Sequence, residues 1–301
     1  MESGDAPRKT ASDFPQGVLD LLIDHAHGRI DRRGFLEGAQ KYAVGGVSAL
    51  ALSEMLRPNS AWAEQVAKSD PRILSETVTV PSPLGDGAIK GTLVTPARPG
   101  KYPVVLVVHD YRGLSPYIED VARRVAVENF IVFAGDGLTS LGGYPGDYEE
   151  AGKMFYTADR EKMIADFRAA AEWLRERPNS TGKLGALGFC FGGSVVNRLA
   201  VLMGEDLDAG APYYGNAPKD EDVAKIKAAM LIQHGEHDTA LVAGWPAYDA
   251  ALTRARVPHH GYIYPGANHG FHNDTIPLYD EAAAKLSWTR TIAWFNTYLR
   301  A

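Results

Sequence analysis

The sequence predicts an α/β fold in which helices cover both faces of a mostly parallel β-sheet. From residue 76 onwards, short apolar runs typical of buried strands alternate with helical segments. Such alternation with short connections implies strands that run parallel in one sheet. Glycine-rich or polar clusters follow three of the apolar runs, at residues 188–193, 234–238 and 265–271. These clusters therefore lie at strand ends.

The predicted elements follow from apolar periodicity and from turn and breaker residues. The predicted strands are residues 76–80, 88–95, 103–108, 131–134, 184–187, 208–214, 228–233 and 259–264. The predicted helices are residues 115–128, 159–177, 194–200, 220–227 and 278–299. The turn-rich residues 83–87 join the first two strands into a hairpin, Ser115-Pro116 opens the first of these helices, and Pro178 ends the second.

The most informative motif is at residues 188–193, which read Gly-Phe-Cys-Phe-Gly-Gly and contain Cys190, the only cysteine of the chain. The motif follows an apolar strand and opens a helix. Its small flanking residues allow a sharp turn that holds the central side chain out at the top of the sheet. This pattern predicts the α/β-hydrolase fold with Cys190 as nucleophile. The alternative is a small buried cysteine with a packing role.

A thiol nucleophile needs a base, and the base needs a group that orients it. Asp238 and His269 follow successive predicted strands downstream of Cys190, in the order nucleophile, acid, histidine that is typical of α/β-hydrolases. We therefore predict that Asp238 orients His269 and that His269 is the base. His272 is the local rival for this role.

A metal site is a weaker alternative for the same region. It would use His234, His237, Asp238 and His269, since imidazole and carboxylate ligands suit zinc. The sequence has no helical His-x-x-x-His pair here, and a metal site leaves the turn at Cys190 unexplained. We therefore predict that the protein binds no metal and needs no cofactor.

Acyl transfer also needs hydrogen-bond donors for the oxyanion. One predicted donor is the backbone N–H of Phe191, at the positive end of the helix that follows Cys190. The second is the backbone N–H of Tyr111, in the loop 109–113 (His-Asp-Tyr-Arg-Gly) after the apolar strand 103–108. For His109 in this loop we expect a structural role, in which it satisfies a buried carbonyl.

These motifs, together with Asp-Gly-Leu at 136–138 and Pro-Gly-Ala-Asn-His-Gly-Phe-His-Asn-Asp at 265–274, resemble the dienelactone hydrolase (carboxymethylenebutenolidase) family. The resemblance extends from about residue 73 to the C-terminus. The N-terminal segment resembles a bacterial subgroup of the family that carries an extra helical arm. The resemblance implies a Cys-Asp-His triad at Cys190, Asp238 and His269.

The sequence departs from the family pattern at two positions. Asp110 stands where similar members have a glutamate that contacts the resting thiol and modulates it. Asn273 stands four residues after His269, where the archetypal enzymes have an arginine that binds the substrate carboxylate. An amide lacks the charged fork of arginine, so we expect a substrate other than dienelactone itself. Further substrate contacts are expected from Arg112 and Tyr144.

The predicted function is hydrolysis of small-molecule esters or lactones through a cysteine thioester. A thiol redox sensor or a ligand-binding protein on a hydrolase scaffold is the alternative from another class, since fold does not fix function. The lack of a second cysteine counts against a sensor, which usually has a resolving partner.

The composition is that of an ordinary globular protein, with 45% hydrophobic and 23% charged residues. The net charge of -6 without a basic cluster argues against nucleic acid or an anionic membrane as partner. The length of 301 residues allows one large α/β domain and an appendage. We place this domain at residues 71–301.

Residues 1–70 allow two interpretations. The Arg32-Arg33 pair, the apolar stretch 42–52 and Ala-Trp-Ala at 61–63 imitate a twin-arginine export signal, which would place the protein in the periplasm. However, a helical pattern at 14–25 precedes the arginines, and Lys41, Glu54 and Arg57 make the apolar core short. We favour helices at 14–25 and 35–56 that form a structural arm, which could also mediate a homo-oligomer, and a cytoplasmic location.

Overall fold

The computed structural model describes residues 9–26, 28–43 and 47–300. The strands are β1 (Ile73–Ser82), β2 (Gly87–Pro96), β3 (Tyr102–Val108), β4 (Ile131–Asp136), β5 (Ser180–Phe189), β6 (Ala209–Tyr213), β7 (Ala229–Gly235) and β8 (His259–Tyr264). The α-helices are α1 (Gln16–Ala26), α2 (Arg32–Ala39), α3 (Ala49–Met55), α4 (Pro116–Ala126), α5 (Tyr148–Thr157), α6 (Arg160–Arg175), α7 (Phe191–Met203), α8 (Thr239–Arg254) and α9 (Glu281–Leu299).

Over the described residues, the eight strands form one sheet in the order β1-β2-β4-β3-β5-β6-β7-β8. The hairpin β1-β2 joins the sheet antiparallel to β4, and every pair from β4 to β8 is parallel. The carboxyl ends of the parallel strands therefore meet at one edge. Loops after β3, β5, β7 and β8 are brought together there, and these loops carry the predicted site residues.

The sheet has a hydrophobic core on each face. Helices α4 and α9 cover one face, with Tyr117 and Phe295 among its fully buried side chains. Helices α5, α6, α7 and α8 cover the other face, where Phe167 and Leu199 are fully buried. The predicted α/β-hydrolase fold, with a mostly parallel sheet between two helical layers, is confirmed.

The N-terminal helices form a third core against the body of the protein. Apolar side chains of α1, α2 and α3, such as Leu19, Phe35 and Leu52, pack with Ile276 and Leu278 from the loop that leads into α9. The backbone N–H of Asn59 also donates to the carbonyl of Thr275 at 2.8 Å. We refer to residues 9–26, 28–43 and 47–70 as the arm.

Two predicted elements need correction, and two helices were not predicted. The helix predicted at 35–56 is instead two helices, α2 and α3, because Ser48 starts a new helix by accepting a hydrogen bond from the N–H of Ala51 at 3.1 Å. Residues 44–46 of the predicted apolar stretch lie outside the described residues. The helix predicted at 220–227 is a short 3-10 helix at Asp220–Lys225, and α5 and α8 were not predicted.

None of the helices in the described part of the chain is both long and apolar enough to cross a lipid bilayer.

Candidate active site

Cys190 occupies a strained turn between β5 and α7. Its φ of 56° and ψ of -115° lie in a region that non-glycine residues rarely adopt, and its N–H donates to the carbonyl of Tyr213 at 3.0 Å. A Cβ at Gly188 would collide with the backbone of Gly192, and one at Gly192 would collide with the carbonyl of Val108. The glycines predicted to permit the turn are thus required by close backbone packing.

His269 and Asp238 form the second part of the site. Nδ1 of His269, in the loop after β8, lies 2.5 Å from Oδ2 of Asp238, which immediately precedes α8. Both side chains are largely buried. Because this hydrogen bond uses Nδ1, the predicted exchange of a proton with Cys190 falls to the other ring nitrogen, Nε2.

The charge state of His269 depends on its two neighbours. Burial is the largest influence on the pKa of His269 and lowers it, because a buried imidazolium loses hydration. The negative charges of Cys190 and Asp238, and hydrogen bonds with both side chains, outweigh this and raise the pKa to about 10. A protonated imidazole beside Cys190 in turn favours the thiolate, which is the nucleophilic form of cysteine.

The predicted oxyanion donors lie on neighbouring elements. Phe191 is the first residue of α7, so its N–H has no partner within the helix. Strands β3 and β5 are adjacent, with Val108 opposite Gly188, so the loop that contains Tyr111 begins next to the turn at Cys190. The two N–H groups therefore come from adjacent segments, and their role as oxyanion donors stays a prediction.

Asp110 and Arg112 form a buried ion pair in the same loop. Oδ2 of Asp110 lies 2.6 Å from Nη1 of Arg112, and its Oδ1 accepts a hydrogen bond from the N–H of Arg112 at 2.8 Å. The negative charges of Asp110 and Cys190 both raise the pKa of Tyr111, after the larger effect of burial. Asp110 is therefore close enough to Cys190 for both charges to act on one side chain.

We expect Asp110→Asn to speed alkylation of Cys190 by iodoacetamide about three- to tenfold. The substitution removes a negative charge that opposes the thiolate and frees the guanidinium of Arg112, which favours it. Second-order rates can be measured by intact mass, since the chain has only one cysteine. Asp110→Glu keeps the charge and is the matched control. Equal rates for the three proteins would show that Asp110 does not modulate the thiol.

Three side chains considered from the sequence have local structural partners. His109 bonds through Nδ1 to the carbonyl of Asp110 at 2.5 Å and accepts the N–H of Gly137 through Nε2 at 2.9 Å. His272 bonds to the hydroxyl of Tyr117 at 2.8 Å within an aromatic cluster. Oδ1 of Asn273 accepts both the N–H and the hydroxyl of Thr275, at 2.9 and 2.6 Å. The side-chain carbonyl of Asn273 thus stabilises a turn.

Tyr144 lies farther along the same edge of the sheet. Its N–H donates to Oδ2 of Asp136 at 2.7 Å, and its ring is 6.2 Å from that of Tyr148 at the start of α5. Burial is the main cause of the raised pKa of the Tyr144 hydroxyl, and among the smaller influences the positive charge of Arg112 lowers this pKa and the negative charge of Asp110 raises it. The loop that contains Tyr144, an expected substrate contact, therefore approaches the ion pair.

Tyr214 belongs to the site although its position in the sequence did not single it out. It follows β6 with a φ of 38°, a strained value for a bulky residue. Its ring centroid lies 4.8 Å from that of His269. Burial, followed by the charges of Asp110 and Cys190, raises the pKa of its hydroxyl well above the usual value. The only sequence signal was its position at a strand end, and tyrosines at such positions commonly fill cores.

His234, at the end of β7, is a buried neutral histidine next to the triad. Burial lowers its pKa to about 4, although the charge of Asp238 opposes this and that of His269 adds to it. Its Nδ1 has no hydrogen-bond partner among the described residues. No group of three or more His, Cys, Asp or Glu side chains converges into a metal-binding cluster in the part of the chain that the structure describes.

His234 should make the protein sensitive to mild acid. Its pKa is depressed in the folded state, so below pH 6.5 the unfolded chain gains a proton that the folded chain excludes, and stability falls as pH drops towards 4. The loss from this residue should be about 2.5 kcal/mol between pH 7.5 and 4.5. We expect His234→Gln to lose correspondingly less free energy of unfolding over this range, as measured with urea. An equal loss in both proteins would contradict a buried neutral His234.

Comparisons with known proteins identify the family to which the chain is similar. Residues 89–299 match the model of the dienelactone hydrolase family, and residues 6–44 match a YqhI-like model. A Synechocystis protein described as "Putative carboxymethylenebutenolidase" is 30% identical over 243 residues, which cover 75% of this chain and 98% of that protein. The "Putative hydrolase fragment YghX" of Escherichia coli is 52% identical over 114 residues, covering 38% of this chain and 97% of the fragment.

Among solved structures, a "Putative Dienelactone Hydrolase" from Klebsiella pneumoniae superposes with a TM-score of 0.66 at 26% identity, covering 75% of this chain and 99% of that one. The family match covers most of the chain and includes every residue of the proposed triad. The chain is therefore a hydrolase and belongs to the dienelactone hydrolase family.

Proposed function

We propose that this hydrolase cleaves neutral esters or lactones through a thioester on Cys190. The observation that carries the proposal is the hydrogen-bonded pair of His269 and Asp238, because the charge of Cys190 acts on the same imidazole and raises its pKa. Cys190 itself lies on a strained turn at the same edge of the sheet. Strain of this kind is common where a fold holds a reactive side chain in place.

The reaction has two halves. The Cys190 thiolate attacks the substrate carbonyl carbon, and the N–H groups of Phe191 and Tyr111 stabilise the resulting oxyanion. Collapse breaks the ester C–O bond, and the leaving alcohol takes the proton of His269. His269 then removes a proton from water, the hydroxide attacks the thioester, and release of the acid regenerates the thiolate.

The preference for neutral substrates rests on how the polar groups are used. Asp110 already pairs with the guanidinium of Arg112, and the side-chain oxygen of Asn273 accepts hydrogen bonds from Thr275. Arg112 is therefore already paired and Asn273 carries no charge, so neither of these residues offers an unpaired positive charge to a substrate carboxylate. The relatives described as carboxymethylenebutenolidases support a lactone or ester, while these contacts favour one without a carboxylate beside the scissile bond.

A test of the mechanism is to mix the protein with a panel of aryl esters and lactones, quench with acid, and record the intact mass. We expect an adduct of the acyl mass on Cys190, and loss of both adduct and turnover after treatment with iodoacetamide. EDTA should leave turnover unchanged. Hydrolysis that continues after alkylation, with no acyl adduct, would contradict the proposal. No turnover of any substrate, together with a Cys190 thiol whose alkylation is blocked by oxidation and restored by reduction, would favour a thiol sensor.

A further inference from the structure

An open cavity of about 780 Å³ lies between the arm and the hydrolase domain. The arm contributes side chains of α1, α2 and α3, including Leu22, Phe35 and Ser53, and the domain contributes Tyr111, Tyr148 and Tyr156. A volume in this range, between about 300 and 1,000 Å³, is typical of sites that bind drug-sized ligands. The cavity is therefore much larger than a small lactone requires.

The cavity is connected to the region of Cys190 through the loop after β3, although Cys190 itself is not one of the residues that line it. Tyr111 and Arg112, which line it, belong to the loop next to the turn at Cys190. The charge of Cys190 contributes to the raised pKa of Tyr156, which also lines the cavity and reaches about 12 mainly through burial. A group attached to a carbonyl at Cys190 can therefore extend towards the arm.

The charged side chains of the cavity wall are paired with protein groups. Arg32 and Arg57 both approach Glu149, at 3.3 and 3.7 Å, and Arg112 is paired with Asp110. These contacts join the arm to the start of α5. Arg57 also pairs with Glu54 at 3.1 Å, so the three positive charges face three carboxylates.

The remaining charges on the wall have local partners. The carboxylate of Asp31 accepts the N–H of Gly34 at 2.7 Å, and that of Asp147 accepts N–H groups at the start of α5. Lys153 pairs with Glu150 at 3.2 Å. The charged groups of the wall are therefore already paired, and the surface that remains for a ligand includes the apolar side chains of Leu22, Phe35 and Ile276, which suit a neutral apolar group.

The arm is fixed over the cavity by hydrogen bonds. The hydroxyl of Tyr156 donates to the carbonyl of Ala26 at 2.5 Å, and Nε2 of Gln16 donates to Oδ1 of Asn268 at 2.8 Å, in the loop that carries His269. The arm thus contacts the domain on both sides of the site.

We propose that this cavity binds the bulky apolar part of the substrate, an aryl or medium-chain alkyl group, and that the arm sets the limit on its size. This inference rests on the proposed function. It assigns the arm a role in substrate selection, in addition to its packing against the domain.

The first experiment compares 4-nitrophenyl octanoate with 4-nitrophenyl acetate. The full-length wild type should have the higher kcat/KM for the octanoate. Ser53→Trp fills the cavity and should lower the octanoate-to-acetate ratio of kcat/KM at least about tenfold, through KM. Met55→Trp adds the same side chain to an exposed position of α3 that does not line the cavity, and should keep the ratio within about twofold of wild type.

A second readout does not depend on hydrolysis. Cys190 is the only cysteine, so N-ethylmaleimide and N-octylmaleimide report on a single thiol. The wild type should react faster with the longer reagent, and Ser53→Trp should lose this advantage while Met55→Trp keeps it. Ser53→Leu is the milder substitution if Ser53→Trp does not fold.

The outcomes separate the two proposals. Ester turnover without a chain-length preference, or with equal ratios in Ser53→Trp and Met55→Trp, would overturn the inference and leave the proposed function intact. Absence of turnover together with the expected maleimide pattern would overturn the proposed function and leave an apolar binding site beside Cys190.

Discussion

Cys190→Ala is expected to lower kcat/KM for an aryl ester by about four to six orders of magnitude, because it removes the atom that forms the thioester. Alanine fits in the space of cysteine and carries the same backbone strain at φ 56°, so the fold should survive. Circular dichroism and the melting temperature would verify this, and stopped assays with concentrated enzyme would measure the residual rate.

Cys190→Ser is the informative companion. A hydroxyl is far harder to deprotonate than a thiol. The raised pKa of His269 reflects an imidazolium that is stabilised by the Cys190 thiolate, and a serine hydroxyl would not supply this negative charge. We expect the serine variant to retain only a small fraction of wild-type activity, above that of the alanine variant. Wild-type rates in the alanine variant would exclude Cys190 as nucleophile.

Local patterns in the sequence were sufficient to predict the fold class and the family. A strand-to-helix turn of this kind needs glycines where two backbones touch. The glycines of residues 188–193 therefore indicate the turn from the sequence alone. Asp238 and His269 could be selected because they follow strands that lie side by side. Their hydrogen bond is consistent with the predicted roles.

Side-chain partners could not be predicted in the same way. Whether Asp110 turns to Arg112, or Asn273 to Thr275, depends on which conformations fit the finished packing. The sequence marked Arg112 as a potential substrate contact and offered no sign that its charge is compensated two residues away. Tyr214 was missed for the same reason, since its importance comes from strain and from a ring contact.

The arm shows a third limit of sequence analysis. Its twin arginines and its small residues at 61–63 imitate an export signal, and the sequence did not indicate which residues of the domain this segment would contact. Ala63 and Val66 are buried against the domain, and the backbone N–H groups of Gln65 and Val66 both donate to Oδ1 of Asp120, at 3.2 and 3.0 Å. Contacts between distant segments decide this docking.

Arg124→Met should therefore have a large effect on stability. Arg124 donates to Asp120 and to Asp274, each at 2.5 Å, and to the carbonyl of Ala63 at 3.1 Å. Methionine fills much of the same volume but leaves two buried carboxylates without this partner, which typically costs about 3 to 5 kcal/mol. The melting temperature should fall by about 10 °C.

The same substitution should release the arm, because Arg124 and Asp120 together hold residues 63–66. Limited proteolysis is expected to cleave the variant between α3 and β1 at protease concentrations that leave the wild type intact. Arg168→Met is the matched control, since it breaks an exposed pair with Glu172 on α6 and should change the stability by less than about 0.5 kcal/mol. If Arg124→Met and Arg168→Met behave alike, the buried ion pairs do not secure the arm, and its docking must come from its other contacts, such as the apolar ones with Ile276 and Leu278.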